Sequence, residues 1–578
     1  MTRLENAPGN RGVFLLSRMH VERAARAIHT LTAHATQSRD SALPTCTSGP
    51  GRPGITKGIG LTEPRPALLA GAFAFWSKRR TSLSGYDPRM LATYPALADW
   101  LHWLDAIPHL RPMMIAAYVV YLLWLIGWIM LQKREPVATL SWILSLAALP
   151  YIGLLIYYVL GPQKVKRQRL RRGRARSGME QYSSVCPPDA DCTELVKIAQ
   201  STTGLAPSSA TEVEWLVDGA ATYSALIAAI GQARDHVHLE YYIFNPDHAG
   251  TSLRDALVER ARNGVRVRLL LDAVGSSSIR KSFLAPLLDA GGEVAWFHPR
   301  QLLKPFKRPW LNMRTHRKLV VIDGRTAFTG GINITDEEDE TQRSDAYRDL
   351  HMRLEGHVVR SLQLVFAEDW MYATGQEPQK LEMARLWPND MALRKDGSIA
   401  TQVLVSGPDS AWEAIHRLQV AAIHEAKERV WLVTPYFVPG EAARMALTSA
   451  ALGGLDVRLL VPKMSDSWFV TQAARSYFDE LLQAGVKIYE YGPRMLHTKA
   501  FIADDDVCIV GSANFDHRSF RLNFELSMMI TDVGTVAKLE AILADEFAAA
   551  AQVQNERKRS LWLHRVPEAF ARLASPLL

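Results

Sequence analysis

Two stretches decide how this chain is read: THRKLVVIDGRTAFTGGIN at 315–333 and LHTKAFIADDDVCIVGSAN at 496–514. Each holds a histidine, a lysine two residues on and an aspartate five residues beyond that. These are His316, Lys318 and Asp323 in the first stretch, and His497, Lys499 and Asp504 in the second. One H-x-K-x-x-x-x-D match would carry little weight in a chain with 17 histidines. Two at matching points of a repeat carry a great deal. The apolar runs LVVI and AFIA predict a strand in each copy, and residues two apart on a strand face the same way, so each imidazole and its ammonium project together.

The surrounding sequence repeats as well. DALVERARNGVRVRLLLDAVGS leads to LLDAGGEVAWFHP in the first half, and MALTSAALGGLDVRLLVPKMSD leads to LLQAGVKIYEYGP in the second. Both read helix, glycine turn, apolar strand, helix, strand. Upstream, VHLEYYIFNPD from Val237 and VWLVTPYFVPG from Val430 are apolar runs that suit central strands covered on both faces. The expected fold class is α/β, with two tandem α/β/α sandwich domains, 201–395 and 396–578, in a pseudo-twofold arrangement. A twofold would bring both His/Lys pairs to one pocket, where two cations and two histidines suit a single phosphodiester.

The residue types suggest the chemistry. A neutral imidazole can attack phosphorus while a protonated one donates to the departing alcohol oxygen, and the same pair run in reverse activates an incoming hydroxyl. The lysines would offset charge on the non-bridging oxygens, work that metal ions do in other phosphoryl-transfer enzymes. No carboxylate cluster is visible in the sequence, so neither a metal nor a cofactor is expected to be required. Asp323 and Asp504 follow the strands where the chain must turn, and Asp323-Gly324 is a favoured turn pair, so both read as structural or charge-balancing members of the motif. Gly330, Gly331 and Asn333, matched by Gly511, Ser512 and Asn514, could hold phosphate oxygens through close backbone approach and small donors. An ordinary strand-ending turn explains them equally well. His351, His357, His416 and His517 lack any such pattern and read as core or solvated residues.

The N-terminal third reads differently. Residues 1–110 carry Gly, Pro, Ser, Thr and Arg without periodicity and read as a largely disordered extension. Met113 to Leu131 is uncharged, as is Val137 to Leu160, and together they predict a transmembrane hairpin over 111–162. A basic linker, 163–200, follows, with eight Lys and Arg between Lys164 and Arg176, which by the positive-inside rule places everything downstream in the cytoplasm. The net charge of +8 suits an anionic partner, membrane or nucleic acid. Four scattered cysteines (Cys46, Cys186, Cys192 and Cys508) lack metal-ligand spacing and read as free thiols.

With two spans ahead of duplicated motifs, the chain resembles the bacterial cardiolipin synthases of the phospholipase D superfamily. The resemblance runs from about Arg111 to Leu578, through YIGLLIYYVLGP, the EYYIF strand with Glu240, TPYFVP and GSANFDHRSFRLNFE around Glu525. It implies catalytic roles for His316, Lys318, Asp323, His497, Lys499 and Asp504. It also implies substrate contacts from Asn333, Asn514, Gly330, Gly331, Ser512, Glu240 and Glu525. The implied reaction joins two phosphatidylglycerol molecules through a phosphatidyl-histidine, releasing glycerol, at the bacterial inner membrane with the catalytic domains on the cytoplasmic side. Phosphatidylglycerol and other anionic phospholipids are the expected partners, and nucleic acid is not. Hydrolysis to phosphatidic acid, a phosphatidylethanolamine donor, a membrane-anchored nuclease and an inactive scaffold are the alternatives. Before the first motif, QLLKPFKRPWLNM (301–313) has no counterpart in the second half; its basic and aromatic residues suit lipid headgroups, or a plain surface loop.

Overall fold

A computed structural model describes residues 110–131, 139–140, 142–144, 146, 193–298, 313–376, 381–382, 385–386, 398–410, 412–555, 559–573 and 575. The N-terminal extension to residue 109, most of the second expected span, the basic run, nearly all of 301–313 and the 387–397 junction lie outside these, as do Cys46, Cys186 and Cys192.

The first strand, β1 (Ser208–Ala210), is an outlier, pairing across the molecule with the second half. After it, β2 (Glu212–Val217), β3 (His236–Tyr241), β4 (Arg266–Asp272), β5 (Glu293–Phe297), β6 (Lys318–Ile322), β7 (Thr326–Gly330) and β8 (Leu350–Glu355) form a seven-stranded sheet. Its order is β2-β8-β7-β6-β3-β4-β5. The second half supplies β9 (Ile399–Ser406), β10 (Arg429–Val433), β11 (Phe437–Val438), β12 (Asp456–Pro462), β13 (Lys487–Tyr491), β14 (Ala500–Ala503), β15 (Val507–Gly511), β16 (Phe515–Asp516), β17 (Glu525–Thr531) and β18 (Ala550–Gln552). Strands β11 and β16 pair with each other, and the rest form the sheet β1-β9-β17-β15-β14-β10-β12-β13-β18. Its seven inner strands repeat the first sheet's order strand for strand. The duplication seen in the sequence is therefore a duplication of topology.

In both sheets the parallel part, β3-β4-β5 and β10-β12-β13, is where helices supply the crossovers that parallel pairing needs. His248–Arg262 links β3 to β4, and Glu441–Leu452 does the same after β11. The apolar runs are unbroken because both faces are covered: Leu319, Val320 and Val321 are all fully buried. Leu319 and Val321 join a core that also holds Ile502, Met528 and the helices Val358–Thr374 and Val533–Ala548, drawn from both halves. Val320 and Ile322 face the first half's own helices, with Leu226, Leu253 and Leu257. Phe501 and Ala503 do the same in the second half, with Leu418 and Leu447. Two sandwiches thus share one central core, and Cys508 lies buried in it as a free thiol.

Leu110–Met130 is a 21-residue helix with exposed Val120, Leu123 and Trp124, and its Leu125 and Ile129 pack on Leu146. Taken over the described residues alone, no helix is long and apolar enough to cross a membrane.

Candidate active site

The histidines sit just ahead of the motif strands, since β6 opens at Lys318 and β14 at Ala500. What fixes them is backbone pairing with the opposite half. His316 N–H donates to the Phe524 carbonyl at 2.9 Å, and Phe524 N–H to that of Arg314 at 2.9 Å. In mirror fashion, His497 N–H donates to the Arg348 carbonyl at 2.7 Å and Arg348 N–H to that of Met495 at 2.8 Å. The pseudo-twofold therefore runs through the site.

Side chains follow the same exchange. His316 Nδ1 lies 2.9 Å from Glu525 Oε2, and His497 Nδ1 lies 2.6 Å from Asp349 Oδ2. Register shows that the two acids are equivalent: Gly330 pairs with His351 and Gly511 with Ser527, which puts Asp349 and Glu525 at the same place in each copy. Each motif histidine is thus oriented by a carboxylate from the other half, its Nδ1 occupied and its Nε2 left as the working nitrogen. Further bonds hold Glu525: Ser512 Oγ donates to Oε2 at 2.5 Å and Asn523 Nδ2 to Oε1 at 3.0 Å. Arg317, itself buried against Asp369, donates through Nε to the Glu525 carbonyl at 3.2 Å.

The lysines complete the charge pattern. Lys318 Nζ donates to the His316 carbonyl at 2.8 Å, while Lys499 Nζ donates to the His497 carbonyl and lies 3.2 Å from Asp349 Oδ2. Lys499 acts electrostatically on His316, and Lys318 on His497, so all four basic groups belong to one site. Burial pushes His316 below the usual imidazole range against the pull of Glu525, and takes His497, with Lys499 beside it, down to about 4. Burial and the facing Lys499 bring Lys318 down to about 7. Burial alone would raise Asp349 and Glu525; Lys499 and His497 hold the first low, and His316 and Lys318 the second. At neutral pH the site therefore offers two neutral imidazoles backed by two carboxylates and facing buried amines.

Comparison with known proteins gives the family. The family described as "Cardiolipin synthase, PLD-like domain" matches residues 226–349 and 420–547, and "Phospholipase_D-nuclease N-terminal" matches 119–162. A cardiolipin synthase of Geobacillus sp. (strain WCH70) is 38% identical over 478 residues, covering 80% of this chain and 93% of that protein. Cardiolipin synthase 2 of Bacillus cereus is 38% identical over 462 residues, covering 78% and 88%. The chain belongs to the cardiolipin synthase family. The crystal structure of a phosphatidylserine synthase from Haemophilus influenzae Rd KW20 has the same fold, with a TM-score of 0.51 at 14% identity, covering 67% of this chain and 100% of that one.

Not every residue expected of a cardiolipin synthase site is brought to it. Asp323 and Asp504 stand at the far ends of the motif strands, roughly 20 Å of extended chain from the histidines. Both adopt left-handed backbone, φ +53° and +52°. The Asp323 carboxylate accepts from the backbone N–H groups of Arg234, Asp235 and His236, and Asp504 from those of Lys427, Glu428 and Arg429, equivalent positions that lead into β3 and β10. Backbone donors, after the cost of burial, hold Asp504 below the usual carboxylate range. These aspartates tie strand to strand and do not touch the imidazoles. Glu240 is fully buried behind the first motif, accepting from Thr315 Oγ1 at 2.5 Å, so it braces the motif from the protein side. Glu525, expected against substrate, instead holds His316.

The glycine-rich turns do reach the site. A Cβ on Gly331 would lie 2.2 and 2.5 Å from the Asp349 carboxylate oxygens, so only glycine lets that carboxylate pack there; at the equivalent place Ser512 uses its hydroxyl to hold Glu525. Gly330 has φ +154° and would press a Cβ onto the His351 backbone. Asn333 and Asn514 are buried beside these turns, each with its Oδ1 unpartnered among the described residues.

Two site residues were missed in the sequence, Asp349 and Glu338. Glu338 accepts from Asn333 Nδ2 at 2.7 Å and lies 3.7 Å from His497 Nδ1, and burial with the neighbouring Asp349 pushes it up to about 8. Its counterpart five residues after Asn514 is Ser519, so this extra carboxyl breaks the twofold. The fold also makes a carboxylate cluster that the sequence did not display: Glu338, Asp349 and His497 have ligand atoms within 4.8 Å of one another. Lys499 already supplies a cation to it. His351, expected to be a core or solvated residue, is fully buried, with burial taking it down to about 3.

Proposed function

We propose that this chain joins two phosphatidylglycerol molecules into cardiolipin and glycerol at the site shared by its two halves. The observation that carries the reading is reciprocal bracing: Glu525 of the second half on His316 and Asp349 of the first on His497.

His316, with Nδ1–H donated to Glu525, attacks phosphorus through Nε2, and the bond from phosphorus to the glycerol oxygen breaks. His497, protonated when the anionic substrate is bound, gives its Nε2 proton to that oxygen, and glycerol leaves. Glu525 offsets the positive charge that His316 then carries as a phosphatidyl-imidazolium. The headgroup hydroxyl of a second phosphatidylglycerol next loses its proton to His497 and attacks phosphorus, the P–N bond breaks, and both histidines return to their starting states. Lys318 and Lys499 face the non-bridging oxygens in both steps. Asn333 and Asn514 supply further polar contacts, and Asp323 and Asp504 keep the strand ends in register.

The 111–162 segment would act as a transmembrane hairpin in the bacterial inner membrane, leaving residues 201–395 and 396–578 as cytoplasmic domains. The exposed apolar side chains of Leu110–Met130 and the eight basic residues from Lys164 to Arg176 support this placement. The test is to incubate the purified chain with phosphatidylglycerol labelled in glycerol and in phosphorus. Cardiolipin and glycerol in equal amounts are expected. Phosphatidic acid as the main product would replace transfer by hydrolysis, and turnover of DNA without turnover of lipid would replace the reading altogether.

A further inference from the structure

The last helix among the described residues is amphipathic and turned inside out. A wide helical turn, Leu561–Arg565, continues into the helix Val566–Leu573. Glu568, Ala571 and Ser575 face the protein: Glu568 binds Arg559, and Ser575 accepts from the Tyr477 hydroxyl at 3.0 Å. Leu563, Val566, Phe570 and Leu573, spaced by three and four residues, make a stripe that points away from it. Leu563 is 75%, Phe570 67% and Leu573 82% exposed, and the neighbouring Trp562 76%. The stripe continues onto the body, where Phe570 meets Phe469 at 6.3 Å between ring centres and Trp468 and Met464 are exposed.

We propose that this stripe, with Trp468 and Met464, is a membrane-docking surface that seats the active site beside an anionic bilayer. The charge pattern favours lipid over a protein partner. Among 561–573 the exposed ionisable residues are His564, Arg565 and Arg572, the last 3.7 Å from Glu480, and the one acid, Glu568, is buried; around Met464 and Trp468 the exposed Asp466 is matched by the exposed Lys463, so the surface as a whole keeps a basic excess. Large apolar and indole side chains rimmed by bases are what an anionic interface takes. The patch also adjoins the site. Between Met464 and Trp468, Asp466 accepts from the Tyr436 hydroxyl at 2.8 Å and is an electrostatic neighbour of Tyr347, whose ring lies 5.6 Å from that of His497. This inference rests on the reading that the substrate is a membrane lipid. It adds a second point of attachment, distinct from the hairpin, that aims the site.

The test uses the full chain in vesicles of phosphatidylglycerol and phosphatidylcholine. Cys46, Cys186 and Cys192 are replaced by Ser and Cys508 by Ala, and an environment-sensitive fluorophore is placed through Trp562→Cys or, as control, Asp255→Cys. Brominated lipids should quench the Trp562→Cys probe several-fold more than the control. Equal quenching overturns the proposal, as does cross-linking between two copies through Trp562→Cys without quenching. In parallel, the double variant Trp562→Glu/Phe570→Glu, altered only at exposed positions, should lose roughly tenfold in turnover of vesicle phosphatidylglycerol. Its turnover of a monomeric short-chain phosphatidylglycerol should stay within about twofold of the parent. Equal loss on both substrates, or no loss on vesicles, overturns docking. Failure of the parent chain to turn over either lipid would sink the catalytic reading and leave the quenching result to judge the surface alone.

Discussion

Glu525→Gln is the sharpest perturbation the site allows. The substitution keeps shape and an oxygen able to accept from His316 Nδ1–H, but removes the charge 2.9 Å from that nitrogen. Ser512 can still donate to the amide oxygen, and Asn523, its amide turned over so that the otherwise unpartnered Oδ1 accepts from the new NH2, can hold the other end, so the fold and the tautomer survive. What is lost is the anion that offsets charge on His316 once phosphorus is bound. A hydrogen bond to a charged group contributes about 1.5–3 kcal/mol, which corresponds to a fall of about 10- to 150-fold in kcat. KM should change by less than about threefold, because the charge develops after binding. The assay follows glycerol release from labelled phosphatidylglycerol in mixed micelles, with thermal melting as a check on folding. A folded Glu525→Gln variant within twofold of the parent kcat would refute the claim that this carboxylate supports the nucleophile.

Other expectations follow from the same geometry. His316→Ala and His497→Ala should each lower turnover by about 10⁴-fold or more, since residues acting as one unit fail together; substantial activity in either would separate the two motifs. Gly331→Ala pushes a methyl into the Asp349 carboxylate, so activity should drop by about the same factor as in Asp349→Asn, whereas an unaffected rate would show that this carboxylate is not held where His497 needs it. Asp504→Ala removes three backbone contacts away from the imidazoles and should lower Tm by several degrees, at about 1–2 kcal/mol, with kcat little changed in the folded protein. Because Asp504 sits below its ordinary value when folded, its stabilisation is present at neutral pH and lost as pH falls through the folded value, so the parent and the variant should converge in acid. Lys318, brought down to about 7, loses its charge as pH rises through that value, so kcat/KM should decline above about pH 7, and Lys318→Arg should abolish that limb even if it lowers the rate.

Much of this was legible in the sequence because the repeat multiplied each signal. The apolar runs after Lys318 and Lys499 read as buried strands, and Asp323-Gly324 read as a turn. The structure gives that turn a purpose, with both aspartates gathering three amides at equivalent places. Asp349 escaped notice although Glu525 was named. The two are equivalent, yet Asp349 comes nineteen residues after Gly330 and Glu525 only fourteen after Gly511, so the longer first loop hid the match. Glu338 lies in DEEDE, which by composition is a solvated acidic run; only tertiary packing buries its second glutamate against Asn333. The outward apolar stripe of Val566–Leu573 has the periodicity of a core helix, and the sequence has no means of showing which way such a face points.

The central claim, two His/Lys pairs acting on one phosphorus with unequal roles, is tested most directly in His497→Ala with a phosphatidyl ester of p-nitrophenol. That leaving group needs no proton, while the second step still needs His497 to activate the incoming hydroxyl. The account predicts a burst of about one nitrophenolate per chain, followed by near arrest, with the phosphatidyl group recovered on His316. Steady turnover without a burst, or label on any residue other than His316, would contradict it.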